Sequence, residues 1–187
     1  MTEALSRRLK QDRFASPAQE AALSLIVAAN TLNECMDRLC EEYRITRVQY
    51  NVLRILRGVY PKGHPRCEIA CRMLDRASDV TRLVDRLAAR RLVKRYRGSE
   101  DQRQAVTCIT TKGIKLLDAM QPAVDAALRI LLHRLSEEDC HQLSRLCALL
   151  LDTADSSSTR RLDPGHHSPC DDCGPAADAK ATPASRP

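Results

Sequence analysis

Val80, Leu83, Val84 and Leu87 recur at helical spacing, which turns Ser78, Arg82 and Asp85 to the opposite side, with Thr81 and Arg86 flanking them. The guanidinium forks of Arg82 and Arg86 match the paired acceptors on a guanine edge, a contact worth about 1–3 kcal/mol of discrimination each. Hydroxyls at Ser78 and Thr81, close to a helix start, suit phosphate oxygens or base edges. Asp85 fits this face less well, because phosphates repel a carboxylate; it either accepts from a cytosine amine or braces a neighbouring arginine. The chemistry on offer is recognition of a polyanion through hydrogen bonds.

Nine cysteines and five histidines are the other reactive groups. Met1 to Ala15 is polar and basic, without the apolar stretch of a secretory signal, so reduced thiols in the cytoplasm are expected. Cys67 and Cys71 share an apolar stripe with Ala70 and Leu74, and Cys140 and Cys147 lie on another, where a thiol acts as a small hydrophobe. Cys108 alternates with Val106 and Thr110 as in a strand. Cys35 and Cys40 flank a helix stripe with Arg38 and Arg44 nearby and Glu41 and Glu42 opposing them, which makes them the candidate sensor thiols. In the tail, His166, His167, Cys170 and Cys173 have ligand types for Zn²⁺ or a similar soft metal, but no fold surrounds them, and a tail without metal is the expected state. Cys170-x-x-Cys173 also raises a thiol oxidoreductase as an alternative, although neither a βαβ pattern nor a phosphate-binding glycine loop accompanies it. A DNA-independent interaction or metal-storage protein is a third class. No cofactor is expected.

Composition narrows the choice among these. The chain has 187 residues, 43% of them hydrophobic but only 3% aromatic, with no Trp. That supports an aliphatic core and leaves little for stacking single-stranded bases or sugars. The net charge is +6, yet Ile45 to Lys115 alone holds 17 Lys/Arg against 6 Asp/Glu, so the rest of the chain is acidic. A basic middle is an electrostatic footprint for nucleic acid. No stretch approaches the roughly 18 apolar residues of a membrane span, and no membrane partner is expected.

These side chains need elements to hold them. Ser16-Pro17-Ala18-Gln19 and Thr46-Arg47-Val48-Gln49 read as capping boxes, and Ser136 with Asp139 as a weaker cap. The first helix carries Leu25, Leu32, Met36, Leu39 and Tyr43 on one stripe and Leu23, Ile26 and Val27 on another, and is therefore expected to be buried on two sides. The second places Val48, Val52, Ile55, Leu56 and Val59 on one face and ends before the Pro61–Pro65 loop. Two short helices follow, the second bearing Arg82 and Arg86, in a helix-turn-helix arrangement. Leu92–Tyr96 and Ala105–Ile109 read as a hairpin around a polar turn. A long helix with Pro122 inside it and a last one carrying Cys140, Leu143, Cys147, Leu150 and Leu151 complete the set. The fold class is mainly α with a small β-hairpin.

In this order, Ile45-Thr46-Arg47-Val48-Gln49-Tyr50-Asn51-Val52-Leu53-Arg54-Ile55-Leu56-Arg57-Gly58, Glu68-Ile69-Ala70, Asp79 to Leu87, Leu92-Val93-Lys94-Arg95, Asp101-Gln102-Arg103 and Ile109-Thr110-Thr111-Lys112-Gly113 resemble the MarR-type winged-helix transcriptional regulators over about Ser16 to Ala154. The resemblance implies a winged helix-turn-helix lobe at 45–113 within a domain of 16–155. Helices at 16–44 and 114–155 would form the dimerisation region, with a flexible arm at 1–15 and a disordered tail at 156–187. It implies a homodimeric repressor that binds a pseudo-palindromic operator in duplex DNA and is released by a small-molecule effector. Arg103 would enter the minor groove, with Arg95 and Arg97 on the opposing strand and Asp101 bracing the wing. Cys35 and Cys40 lie near where the effector pocket would open, so a thiol- or metal-responsive variant stays open beside ligand release. Arg91 stands where the family usually has Gly, and a positive φ there would be strained.

Overall fold

The computed structural model describes residues 3–11, 13–74, 79–97 and 105–158. Among the described residues seven helices run in the order α1 Glu3–Leu9, α2 Pro17–Glu42, α3 Arg47–Gly58, α4 Arg66–Arg72, α5 Val80–Ala89, α6 Thr111–Leu132 and α7 Glu137–Ser158. Three short strands, β1 His64–Pro65, β2 Val93–Arg97 and β3 Ala105–Ile109, form an antiparallel sheet in the order β1-β3-β2.

Side-chain caps set the helix starts. Thr46 Oγ1 accepts from the Gln49 N–H at 3.2 Å and Gln49 Oε1 accepts from the Thr46 N–H at 3.1 Å, a complete capping box for α3. At α2, Ser16 Oγ accepts from the Gln19 N–H, but the Gln19 carbonyl oxygen turns one residue further back, to the Ala15 N–H at 2.6 Å. Ser136 and Asp139 cap α7 reciprocally; the Ser136 hydroxyl, then its N–H, donate to Asp139 and hold that carboxyl below its usual range.

The core lies under the lobe formed by α3, α4, α5 and the sheet, with the start of α6 and the end of α2. Leu53, Leu56, Ile69, Leu87 and Ile109 are fully buried, and Leu117 and Met120 close the core from α6. Burial of each such side chain contributes about 1.5–3 kcal/mol. Gly63 lets the chain enter β1: its φ is +78°, and a Cβ there would meet the Thr107 carbonyl oxygen at 2.3 Å.

Several expectations need correction. The first dozen residues, read as a loose arm, include α1, whose Leu5 is buried. The Pro61–Pro65 loop contains β1, paired with β3 through His64↔Thr107 and Pro65↔Val106. On α4 the inward residues are Ile69 and Met73, with Ala70 half-buried, whereas Cys67 and Cys71 are half-buried and Leu74 is 82% exposed. The helix ends at Arg72, before Leu74 can complete the expected stripe. The helix α7 runs to Ser158, three residues past the expected domain edge at 155. The two-sided burial expected for α2 is not tested by a single protomer, in which Leu25, Ile26 and Leu32 are exposed and Leu39 and Cys40 are buried.

Arg91 does take a positive φ, +59°. Its N–H donates to the Ala88 carbonyl at 2.8 Å and the Leu92 N–H to the Leu87 carbonyl at 3.0 Å, the Schellman pattern whose left-handed residue is usually Gly. Arg91→Gly is therefore expected to raise stability by about 1 kcal/mol. A urea midpoint that is unchanged or lower would refute the strain.

His64 carries a second testable consequence. Its Nε2 is buried without a hydrogen-bond partner. Burial first, then the Arg72 guanidinium, hold its pKa below the usual 6.5, against a smaller opposing effect of Glu68. The folded state thus favours neutral imidazole. This contribution to stability is complete above about pH 6.5 and is lost as pH falls through the lowered value. Unfolding titrations of wild type and His64→Asn between pH 7 and 5 should show a shallower pH slope in the variant; equal slopes would refute it.

Candidate nucleic-acid interface

The helix α5 is two-faced. Val80, Val84 and Leu87 are buried and Leu83 is half-buried, while Thr81, Arg82, Asp85 and Arg86 are exposed. Asp79, which the sequence reading left without a role, caps the helix: its Oδ1 accepts from the Thr81 and Arg82 N–H groups at 3.0 and 3.2 Å, and its Oδ2 lies 3.4 Å from Arg82 Nε. An Asp directly ahead of an apolar helical repeat is the signal that marks it. The Arg82 side chain remains 79% exposed, so this pairing leaves its fork open to a ligand.

Two contacts fix α5 against its neighbours. Arg66, at the start of α4, donates from Nη1 to Thr81 Oγ1 at 3.1 Å. The Thr81 hydroxyl keeps its own proton for a phosphate. Asp85 Oδ1 lies 2.7 Å from Arg95 Nη1 on β2. The pair matches the bracing alternative for Asp85 and ties α5 to the hairpin. Arg95 itself is 41% exposed in this pair. Arg66 escaped sequence reasoning because it is 15 residues from its partner and no local pattern links them.

The hairpin pairs Val93↔Ile109, Arg95↔Thr107 and Arg97↔Ala105. The Tyr96 hydroxyl donates to the Lys62 carbonyl, anchoring β2 to the turn before β1. The Arg97 backbone lies in β2, but its side chain is outside the described residues, as are Ser78, Asp101 and Arg103. The tail residues His166, His167, Cys170 and Cys173 also lie outside them. Of the side chains expected at the nucleic-acid face, the structure thus places Thr81, Arg82, Asp85, Arg86 and Arg95, all on α5 or the strand beside it.

The MarR family model matches residues 45–105, from the start of α3 through the hairpin. The solved structure of a MarR transcription factor from Planctomyces limnophilus is 36% identical, with a TM-score of 0.57, over 73% of this chain and 99% of that one. The chain belongs to the MarR family. The MarR-family chain is also similar to MepR of Staphylococcus aureus, solved as a DNA complex, at 25% identity and TM-score 0.63 over 71% of this chain and 96% of that one. Among curated relatives it is similar to the HTH-type transcriptional regulator MhqR of Bacillus subtilis, 27% identical over 132 residues, 68% of this chain and 89% of that one. Membership makes the protein a transcription regulator and sets aside the oxidoreductase alternative.

The thiols of this MarR-family protein divide sharply. Cys40 is fully buried, and burial first, with Asp37 adding to it, pushes its thiol up to about 11. A thiol so shielded is the less reactive of the Cys35/Cys40 pair. Cys35 is half-buried and free. Cys108 is buried as expected, its thiol 3.2 Å from the Pro61 carbonyl oxygen. Cys67 and Cys71, expected as reduced core thiols, are instead disulfide-bonded.

A cavity of about 420 Å³ opens between α2, α3 and α6. Met36, Val48, Val124 and Leu128 give it a largely apolar lining, to which Arg47 and Arg54 also contribute. Arg47 pairs with Asp37 at 3.2 Å and Arg54 donates to Gln121 at 3.1 Å. No helix of the described residues is long and apolar enough to cross a membrane.

Proposed function

We propose that the protein is a homodimeric repressor that reads a pseudo-palindromic operator in duplex DNA and is released by a small molecule. The observation that carries this reading is the outer face of α5, where Thr81, Arg82 and Arg86 stand exposed on a capped helix whose inner face is locked into the core. Two such helices would enter successive major grooves roughly 34 Å apart, with Arg103 and Arg97 of each wing in the flanking minor grooves.

Dimerisation is supported by α7, which has no substantial packing partner within the described protomer. Its Leu143, Leu146 and Leu150 are 44%, 47% and 55% exposed on one stripe, and Leu25, Ile26 and Leu32 of α2 add to the uncovered apolar surface. The effector would occupy the cavity between α2, α3 and α6, the junction of dimerisation helices and DNA lobe. Filling it changes the relative placement of the lobes and so their fit to two half-sites.

Mobility shift with the gene's own upstream region tests the reading. Arg82→Ala and Arg103→Ala should each weaken binding by about 1–3 kcal/mol, and wild-type binding should fall steeply with salt. Wild-type affinity in both variants would overturn the site.

A further inference from the structure

We propose that Arg90 is a positioning residue for operator recognition: from the end of α5 it clamps the corner between α2 and α3, and so sets which half-site spacing the dimer accepts. The inference rests on the reading of the protein as a homodimer that docks α5 in DNA. Arg90 is the C-cap of α5, half-buried, and its Nη1 donates to the Arg44 carbonyl. Arg44 stands between the end of α2 at Glu42 and the start of α3 at Arg47, in the left-handed region with φ +57°. Its N–H donates to the Glu41 carbonyl at 2.8 Å and the Ile45 N–H to the Cys40 carbonyl at 3.0 Å, so Arg90 holds the very turn that closes α2. On that reading, the chain passes here from a dimerisation helix into the DNA lobe.

The bond is charge-assisted, and it places a guanidinium at the C-terminal end of a 26-residue helix, whose dipole favours a cation there. The arrangement repeats one step on. Lys112, in the first turn of α6, donates from Nζ to the Arg90 carbonyl at 3.0 Å and puts a cation at the end of α5. The junction with α6 is tight: the Thr110 N–H donates to the Leu92 carbonyl at 3.0 Å, the Thr110 hydroxyl reaches the Arg91 carbonyl at 2.8 Å, and a Cβ at Gly113 would meet the Leu92 carbonyl at 2.4 Å. Toward α2 the hold is different, because α5 packs on α4 and β2 and the long Arg90 side chain makes the reach to Arg44. Other bonds at this corner run elsewhere, from the Tyr43 hydroxyl to the Ala119 carbonyl on α6 at 3.1 Å and from Arg47 to Asp37 at 3.2 Å. A recognition helix held at α6 but released at Arg44 can pivot.

Pivoting matters to a dimer more than to a single lobe. Two half-sites require both α5 helices in place at once, and one base pair inserted between them shifts the second half-site by about 3.4 Å and turns it by about 35°. A clamped lobe cannot follow and loses the second contact. A released lobe follows in part, but at the correct spacing its effective concentration is lower. Arg90 acts in this scheme through the corner it holds, while Thr81, Arg82 and Arg86 keep their exposed face. A phosphate contact by Arg90 would instead weaken half-site and full-site binding alike.

The test uses the full chain and the site that it protects in the gene's upstream region, as fluorescent duplexes with the natural spacing, with one base pair inserted between the half-sites, and with one half-site alone. Wild type should lose about tenfold or more in affinity on insertion. Arg90→Met keeps the apolar stem and removes the donors; it should bind the natural site roughly fivefold more weakly, lose less than about threefold on insertion, and match wild type on the single half-site within twofold. Arg90→Lys retains a charged donor and should restore the insertion penalty. Arg90→Gln, whose shorter arm does not reach the Arg44 carbonyl, should behave as the Met variant does and decides the matter if that variant does not fold. A wild-type insertion penalty that Arg90→Met or Arg90→Gln leaves unchanged overturns the proposal alone, as does an equal loss on half-site and full site. A wild type that is indifferent to the insertion overturns the dimeric-operator reading, and the proposal with it.

Discussion

Glutamates at Leu146 and Leu150 (L146E/L150E) are expected to leave the lobe folded, convert the protein to a monomer and lower operator affinity roughly 100-fold or more. The two leucines are 47% and 55% exposed and lie on a helix that its own protomer leaves almost bare, so the charges meet water in the monomer. In a dimer they would be buried opposite each other, where unpaired carboxylates are costly. The lobe core, centred on Leu53, Leu56 and Ile69, does not include α7. Its fold should therefore survive. Affinity falls because the second lobe no longer binds as a tethered partner of the first. Light scattering and mobility shift on one sample check both parts. A dimer with wild-type affinity would refute the assigned surface.

Leu87→Ala is expected to cost about 2–5 kcal/mol in unfolding free energy. Leu87 is fully buried on the inner face of α5, so truncation removes apolar contacts and leaves a cavity under the helix that presents Arg82 and Arg86. The loss spans much of the total stability of an ordinary domain. Leu87→Met, which preserves volume, should cost less than about 1.5 kcal/mol. Urea denaturation checks both; a loss below about 1 kcal/mol for the alanine variant would mean that the site collapses around the truncation.

Local chemistry was the legible part of the fold. The Thr46–Gln49 box, the Ser136–Asp139 cap and the apolar spacing of Val80, Val84 and Leu87 are short-range features, and each sits where its spacing puts it. Misreadings arose where two local patterns compete or where the deciding partner is distant. In α4 the frame Cys67–Cys71–Leu74 and the frame Ile69–Met73 both have helical spacing, and only packing against the core selects the second. A two-residue strand ending in proline, as in β1, has no periodicity to read. The exposed leucines of α2 and α7 were legible as apolar stripes, but a stripe does not say whether its cover comes from the same protomer. Within the site, Thr81, Arg82 and Arg86 could be placed on a helical wheel, whereas Arg66–Thr81 and Asp85–Arg95 exist only once separate elements meet.

The Asp85–Arg95 pair also bears on what a half-site can encode. With one carboxylate oxygen of Asp85 held by Arg95, the outer face of α5 offers a base edge more donors than acceptors. The two arginines offer donors alone, and the Thr81 hydroxyl already accepts from Arg66. A helix so equipped selects bases by the lone pairs they expose: guanine O6 and N7 foremost, then thymine O4 and adenine N7. The operator's information should accordingly be weighted toward guanines, one or two in each half-site, over positions that require an acceptor from the protein.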